Sequence, residues 1–125
     1  MLSDFPCHAT IPVKDFDRAK TFYGKTLGFT TKDEQPAGIL YDAGKGTYFL
    51  VYASAGPTNG AHTSIGFSVD DIKAQVTELK SNGVTFEEYD LPGLKTVDSI
   101  AEVGPGRAAW FKDPEGNIIG LIDFK

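Results

Sequence analysis

A chain of 125 residues, 41% hydrophobic and 23% charged, is sized and composed for one globular domain with its own core, which excludes a disordered chain. A formal net charge of −5, with Lys and Arg scattered along the chain, excludes a nucleic-acid or anionic-membrane surface. The one cysteine, Cys7, allows no intrachain disulfide, and no apolar run reaches the length of a membrane span.

The opening MLSDFPCHAT has neither a charged n-region nor an apolar h-region, so no signal peptide is expected and a cytoplasmic location follows as the default. Residues 8–13 read as a strand in which Ala9, Ile11 and Val13 alternate with His8, Thr10 and Pro12. Pro12 cannot donate to a ladder and belongs at an edge. Cys7 and His8 would point to opposite faces, so the thiol has no base beside it and is expected as a small buried apolar group. Asp15 suits an N-cap. Phe16, Ala19, Phe22, Tyr23 and Leu27 follow at helical spacing, and Gly28 fits the left-handed stop. Strands are expected over 29–32, 39–41 and 47–53, the last two joined by AGKG.

After the turn-rich SAGPTNGA at 54–61 the same order returns. Thr63, Ile65, Phe67 and Val69 alternate with His62, Ser64, Gly66 and Ser68. Asp70 or Asp71 caps a helix carrying Ile72, Val76 and Leu79, which Asn82-Gly83 ends. Val84–Glu88 reads as a strand. Residues 90–106, with three glycines and two prolines, read as a long loop, either a lid or an inert excursion. Strands over 108–111 and 118–124 flank DPEGN, a type I turn by composition.

The chain is therefore a βαβββ unit written twice. The closing hairpins align at an offset of 70 (Tyr41 with Phe111, Leu50 with Gly120), and the first strands at 56 (Val13 with Val69, His8 with Ser64). The expected fold is α+β: two tandem βαβββ modules, about 5–54 and 62–125 of a single domain, forming a curved mixed sheet. In each first strand one side is apolar throughout and should carry the helices. The other, mixed side would line a cup-shaped cavity between two four-stranded sheets, suited to a small ligand. Tyr48 and Tyr52 share a face with Leu50 and could stack on a planar ligand or simply pack. Ser64, Gly66 and Gly120 are small and leave volume. Trp110 walls the cup or packs at a subunit contact, and Arg107 meets an acidic ligand or solvent.

This pattern resembles the vicinal oxygen chelate superfamily, which includes glyoxalase I, extradiol dioxygenases, fosfomycin-resistance transferases and bleomycin-binding resistance proteins. The opening motif is met by His8, Val13, Asp15, Phe22, Tyr23, Leu27, Gly28 and Phe29. The closing motif is met by Phe111, Asp113, Pro114, Gly116 and Asn117. The resemblance implies a homodimer and, in metal-dependent members, a divalent ion held by His, Glu or Gln at four places, which here are His8, Leu50, Ser64 and Gly120. Of these only His8 is a good ligand. Leu50 has no donor atom and Gly120 no side chain, while an open catalytic site keeps about three protein ligands. A divalent metal is thus disfavoured and no cofactor is expected. His62, two residues before Ser64 and about 7 Å along the strand, offers an alternative pairing with His8 at the rim. Asp123 should face the opposite side, and Glu102 falls in the loop.

The resulting pocket comprises His8, Thr10, Tyr48, Leu50, Tyr52, His62, Ser64, Trp110 and Gly120. His8 there hydrogen-bonds an anionic or carbonyl ligand or acts as a general base; alternatively it is a strand histidine bonded to backbone. The expected function is a small-molecule-binding protein of the bleomycin-resistance type with a metal-free cup. The alternative is a metal-dependent or His8-dependent lyase, isomerase or dioxygenase of the same superfamily.

Overall fold

A computed structural model describes residues 1–4, 7–36, 38–54 and 62–124; the turn-rich stretch beyond Ser54 lies outside the described residues. The chain divides into two compact units, Met1–Thr58 and Asn59–Lys125. The fold is α+β with two mixed sheets, one in each unit. Among the described residues no helix is long and apolar enough to cross a membrane.

In the first unit β1 (Ala9–Val13) leads to α1 (Phe16–Lys20), then β2 (Thr30–Gln35), β3 (Gly38–Asp42) and β4 (Tyr48–Ala53). The sheet order is β1-β4-β3-β2, with β1 parallel to β4 and the rest antiparallel. Pro12 sits in an edge strand, where its missing N–H breaks no ladder. Asp15 caps α1 by accepting the Arg18 N–H at 3.0 Å. The helix runs on as a wider π turn through Thr26, closed by Leu27 N–H donating to Phe22 O at 2.9 Å, and ends at Gly28 with φ +79°. Ile11, Val13, Ile39, Tyr41, Phe49 and Val51 alternate onto one face and are at most 2% exposed. Tyr23 of the helix seals that face, its ring 5.7 Å from Phe49 and 5.9 Å from Tyr41. Each such buried side chain contributes about 1.5–3 kcal/mol of transfer free energy. The apolar side thus carries the helix, as the alternation predicts.

The second unit holds β5 (Thr63–Ser68), α2 (Ile72–Ser81), β6 (Asp90–Leu91), β7 (Leu94–Val97), β8 (Ile100–Val103), β9 (Gly106–Lys112) and β10 (Ile118–Phe124). Asp71 is the N-cap, accepting from Ala74 N–H at 3.2 Å. The register repeats that of the first unit. There Thr10, Leu50 and Leu40 form one row across β1, β4 and β3; here Gly66, Gly120 and Trp110 form the matching row across β5, β10 and β9. The offsets of 56 and 70 therefore hold at the level of paired backbones.

Four expectations are corrected. First, the second sheet has six strands, in the order β5-β10-β9-β8-β7-β6, and residues 90–106 are a meander instead of a loop. The β7–β8 connection is the two-residue turn Asp98-Ser99, with φ +52° and +74°. That conformation usually announces itself by Gly or Asn, so composition hid it. Second, Val84–Glu88 makes only one bridge, Phe86 to Phe111. Beyond it the backbone turns its bonds to β7: Thr96 N–H donates to Tyr89 O at 2.9 Å and Tyr89 N–H to Thr96 Oγ1 at 2.8 Å. Third, β2 starts and ends later than residues 29–32, because Phe29 packs edge-on against Phe49 at 4.9 Å. Fourth, Cys7, which precedes β1, is exposed.

The Glu88 carboxylate holds the meander. It accepts Ser99 Oγ–H at 2.6 Å, Thr96 Oγ1–H at 2.7 Å and Ser99 N–H at 3.2 Å. The Ser99 and Thr96 bonds hold its pKa below the ordinary value of 4.5. A depressed carboxylate stabilises the fold above its ordinary pKa, and that stability is lost as pH falls through the lower folded value. Glu88→Gln is therefore expected to melt lower than the native chain at pH 7, with the difference shrinking as pH falls below 4.5; melts on both sides of that pH check it.

Gly106 in β9 is a second constraint. A Cβ there would stand 2.7 Å from the Asp123 carbonyl oxygen. Gly106→Ala must spread β9 from β10 and is expected to cost about 1–3 kcal/mol, measurable by urea unfolding.

Candidate functional site

The faces opposite the helices carry most of the residues singled out from the sequence, and each unit holds its own share. In the first unit, β1–β4 register places Thr10 beside Leu50 and Pro12 beside Tyr52. Strand alternation puts Tyr48, Leu50 and Tyr52 together on this face, half-buried, while Phe49 and Val51 turn to the core. His8 lies just before β1, and its ring stands 5.0 Å from the Tyr48 ring, tilted by 33°. Lys32 Nζ stands 5.6 Å from the centroid of the same Tyr48 ring and 3.9 Å from Asp42 Oδ1. His8 and Thr10 remain exposed.

A depression of ≈ 360 Å³ opens on this face, walled by Leu40, Leu50 and Tyr52 over Gly38. The absence of a side chain at position 38 is what lets Leu50 lie flat, since a Cβ there would be 3.0 Å from Leu50 Cδ1. Asp33 and Gln35 supply the polar rim, with Gln35 Nε2–H donating to Asp33 Oδ2 at 3.3 Å. Leu40 and Gly38 were absent from the sequence-derived pocket. The alternation of Ile39, Leu40 and Tyr41 carried the signal for Leu40: its neighbours face the core, so it must face the other way.

In the second unit the corresponding face carries Gly66, Trp110 and Gly120, with Thr63 brought against Gly120; the register shifts between Ile118 and Ile119, and Ser64 falls outside the paired rows. Gly120 does not leave an opening, contrary to the expectation from its size. The Trp110 indole lies over it: a Cβ at position 120 would meet Trp110 Cδ1 and Nε1 at 3.4 Å and Thr63 Cγ2 at 3.3 Å. Tyr89 braces the indole edge-on, with ring centroids 5.6 Å apart. Burial first, and then the Glu87 carboxylate, holds the Tyr89 phenol above its ordinary pKa, so it is neutral at pH 7. Tyr89 belongs to an irregular segment, and nothing in the sequence pattern signals it. His62 is exposed and lies immediately before β5.

Asp123 faces the helix side, as alternation requires. It is 2% exposed, accepts the Ile72 N–H at 3.2 Å, and has Arg107 Nη2 at 3.5 Å. Arg107 is thus committed to a buried carboxylate on the side away from Trp110. Glu102 lies on β8, directly across from Arg107.

The four positions at which a divalent ion would be held do not fit one. Leu50 presents hydrocarbon, Ser64 a hydroxyl, and Gly120 is covered by indole. His8 is the one imidazole among them. Among the described residues no three His, Cys, Asp or Glu side chains gather as a ligand set. What these faces offer instead is aromatic and aliphatic area with a few polar tips, an arrangement that takes up planar organic molecules.

Comparison with known proteins agrees with this architecture. The family model described as Glyoxalase/Bleomycin resistance protein/Dioxygenase superfamily matches residues 7–121. TnmS3, an antibiotic binding protein from Streptomyces sp. CB03234, is 25% identical with a TM-score of 0.72, covering 97% of this chain and 98% of that one. A glyoxalase/bleomycin resistance protein from the same organism is 27% identical with a TM-score of 0.65, over 90% and 94% of the two chains. A bleomycin-binding protein complexed with bleomycin is 22% identical, with a TM-score of 0.73 over 97% and 99%, a likeness of fold.

Proposed function

The chain belongs to the glyoxalase/bleomycin resistance protein/dioxygenase superfamily, and from that premise we propose that it binds a flat organic small molecule without using a metal. One observation carries this reading: where metal-dependent relatives present ligands, this chain presents Leu50, Ser64 and a Gly120 roofed by Trp110. A single imidazole does not retain a catalytic ion. The same substitutions put hydrocarbon and aromatic surface where the ion's ligands would stand. The antibiotic-binding relative at 25% identity supports capture over turnover. In the first unit the Tyr48 ring supplies a stacking plane, Leu40, Leu50 and Tyr52 an apolar floor, and His8 a polar tip for a carbonyl or anionic group; in the second unit the Trp110 ring offers a stacking plane of its own.

Trp110 is the chain's one tryptophan, so its emission reports directly on the second unit's face. In a screen of planar aromatic metabolites and antibiotics, quenching by one ligand per chain, unchanged by EDTA, is the expected result. Trp110→Ala should weaken that ligand, followed then by calorimetry, by at least about tenfold, the loss of one stacking partner. Retention of about one nickel, zinc or manganese ion per chain after desalting would overturn the metal-free reading.

The second reading, a His8-dependent lyase or isomerase, draws on the exposed His8 ring held against Tyr48. It requires ligand turnover that His8→Ala abolishes while the melting temperature stays unchanged. Turnover unaffected by that change rejects it.

A further inference from the structure

A second cavity lies elsewhere, in the second unit, on the side of the sheet that carries α2. It measures ≈ 550 Å³, inside the usual range for small-molecule pockets. Its origin is the meander that breaks the repeat. In the first unit the outermost strand, β2, reads TTKDEQ and is exposed and polar throughout, as a strand beyond the reach of its helix should be. In the second unit the strands beyond α2 instead bring apolar side chains, beside charged ones, to the cavity. Leu91, Leu94, Val97 and Ile100 all line the cavity; Leu91 is 55% and Val97 66% exposed. An apolar wall kept in water at one repeat's edge and replaced by polar residues at the other's marks a site that something covers.

Charge says what kind of occupant. Lys73, in the first turn of α2, and Lys95, on β7, both line the cavity. Among the described residues neither has a carboxylate within ion-pair reach. Arg107 lines it too, although part of its charge is spent on Asp123. Asp98 and Glu102 also line it and would repel a polyanion. The wall is also held ready. The Asp98-Ser99 turn keeps two non-glycine residues left-handed, a strain that Glu88 holds from outside through Ser99 N–H and Oγ–H. Backbone strain maintained by a dedicated anchor beside a cavity accords with a preformed binding wall.

From the uncovered apolar strands, the two unpaired lysines and the cavity volume we infer a second ligand site in this protein, which takes a monoanionic organic molecule with an apolar body, its acid at Lys73 and Lys95 and its hydrocarbon on Val97 and Ile100. The site is independent of the polar faces assigned above, so either can fail without the other.

The test uses the full chain and 8-anilinonaphthalene-1-sulfonate, a fluorescent monoanion with an aromatic body. One probe per chain should bind with enhanced emission, and decanoate should displace it while decylammonium does not. Lys73→Glu with Lys95→Glu should weaken the probe by at least about tenfold. Val97→Asp should do the same, and both variants alter exposed side chains, so their melts should stay native. Lys95→Ala provides a milder version whose smaller loss must follow the same direction. Trp110→Ala should leave the probe's affinity unchanged. The inference is overturned if displacement is indifferent to the sign of the head group, if the charge-reversed variant binds normally, or if Trp110→Ala removes the probe. It is equally overturned if sedimentation shows that the Val97→Asp change dissolves a dimer, for then a second copy covers the wall.

Discussion

Asp113→Ala is expected to lower unfolding free energy by about 3–4 kcal/mol. The carboxylate is 4% exposed and accepts Asn117 Nδ2–H at 2.8 Å, Asn117 N–H at 2.9 Å and Glu115 N–H at 2.9 Å. Asn117 is fully buried, so its amide cannot turn to water when the acceptor is removed. A buried donor left unsatisfied costs about 1–3 kcal/mol. The Glu115 N–H, nearer the surface, recovers a water and contributes less.

The repeat supplies an internal control. The equivalent turn of the first unit has Ala43 where Asp113 stands and Thr47 where Asn117 stands. It keeps the same frame, Ala43 N–H donating to Thr47 O at 2.8 Å against Asp113 N–H to Asn117 O at 2.9 Å. Both turns also place a glycine left-handed at the same point, Gly46 at φ +80° and Gly116 at φ +91°. So the backbone does not need the aspartate; the buried asparagine does. Asp113→Ala with Asn117→Thr should then recover a large part of the loss, a coupling that urea unfolding of the two singles and the double would read. A single-mutant cost below about 1 kcal/mol, or strictly additive losses, would show that the carboxylate does not hold this turn.

Equivalences of this kind explain why so much was legible in the sequence. The repeat appears as pairs at fixed offsets, and strand pairing preserves offsets. The offset that relates Leu50 to Gly120 therefore puts both on the same row of their sheets. Caps and stops were equally readable, because Asp15, Asp71, Gly28 and Gly83 each do one local job that their side chain, or lack of one, uniquely suits. What escaped was set by long-range contact. Asp98 and Ser99 adopt a hairpin turn because Glu88, eleven residues before Ser99, holds it, and no window of local composition contains that reason. Gly120 misled for a similar cause: its size announced empty volume, but the space belongs to the Trp110 side chain from the neighbouring strand. Arg107 looked free only because its partner, Asp123, lies sixteen residues away on β10.

Gly120→Glu places the missing ligand where metal-dependent relatives carry it, and it is expected to destroy ligand binding without creating a metal site. The added Cβ would start 3.4 Å from two indole atoms and 3.3 Å from Thr63 Cγ2. The rest of the glutamate must then occupy the volume of the Trp110 ring, or the ring must leave. Position 120 is buried, so a carboxylate there also loses hydration. Together these should cost about 2–4 kcal/mol of stability, shift Trp110 emission to the red as the indole is pushed into water, and weaken the aromatic ligand by more than about tenfold. Metal affinity should not appear, because Leu50 and Ser64 still offer no imidazole or carboxylate. Gly120→Ala is the graded control: one methyl group asks the indole to give by tenths of an ångström and should produce a fraction of each effect. If Gly120→Glu instead retained one zinc or nickel ion per chain after desalting, the four-position mapping would be wrong in its count of missing donors. The metal-free reading of the native protein would then rest on Gly120 alone.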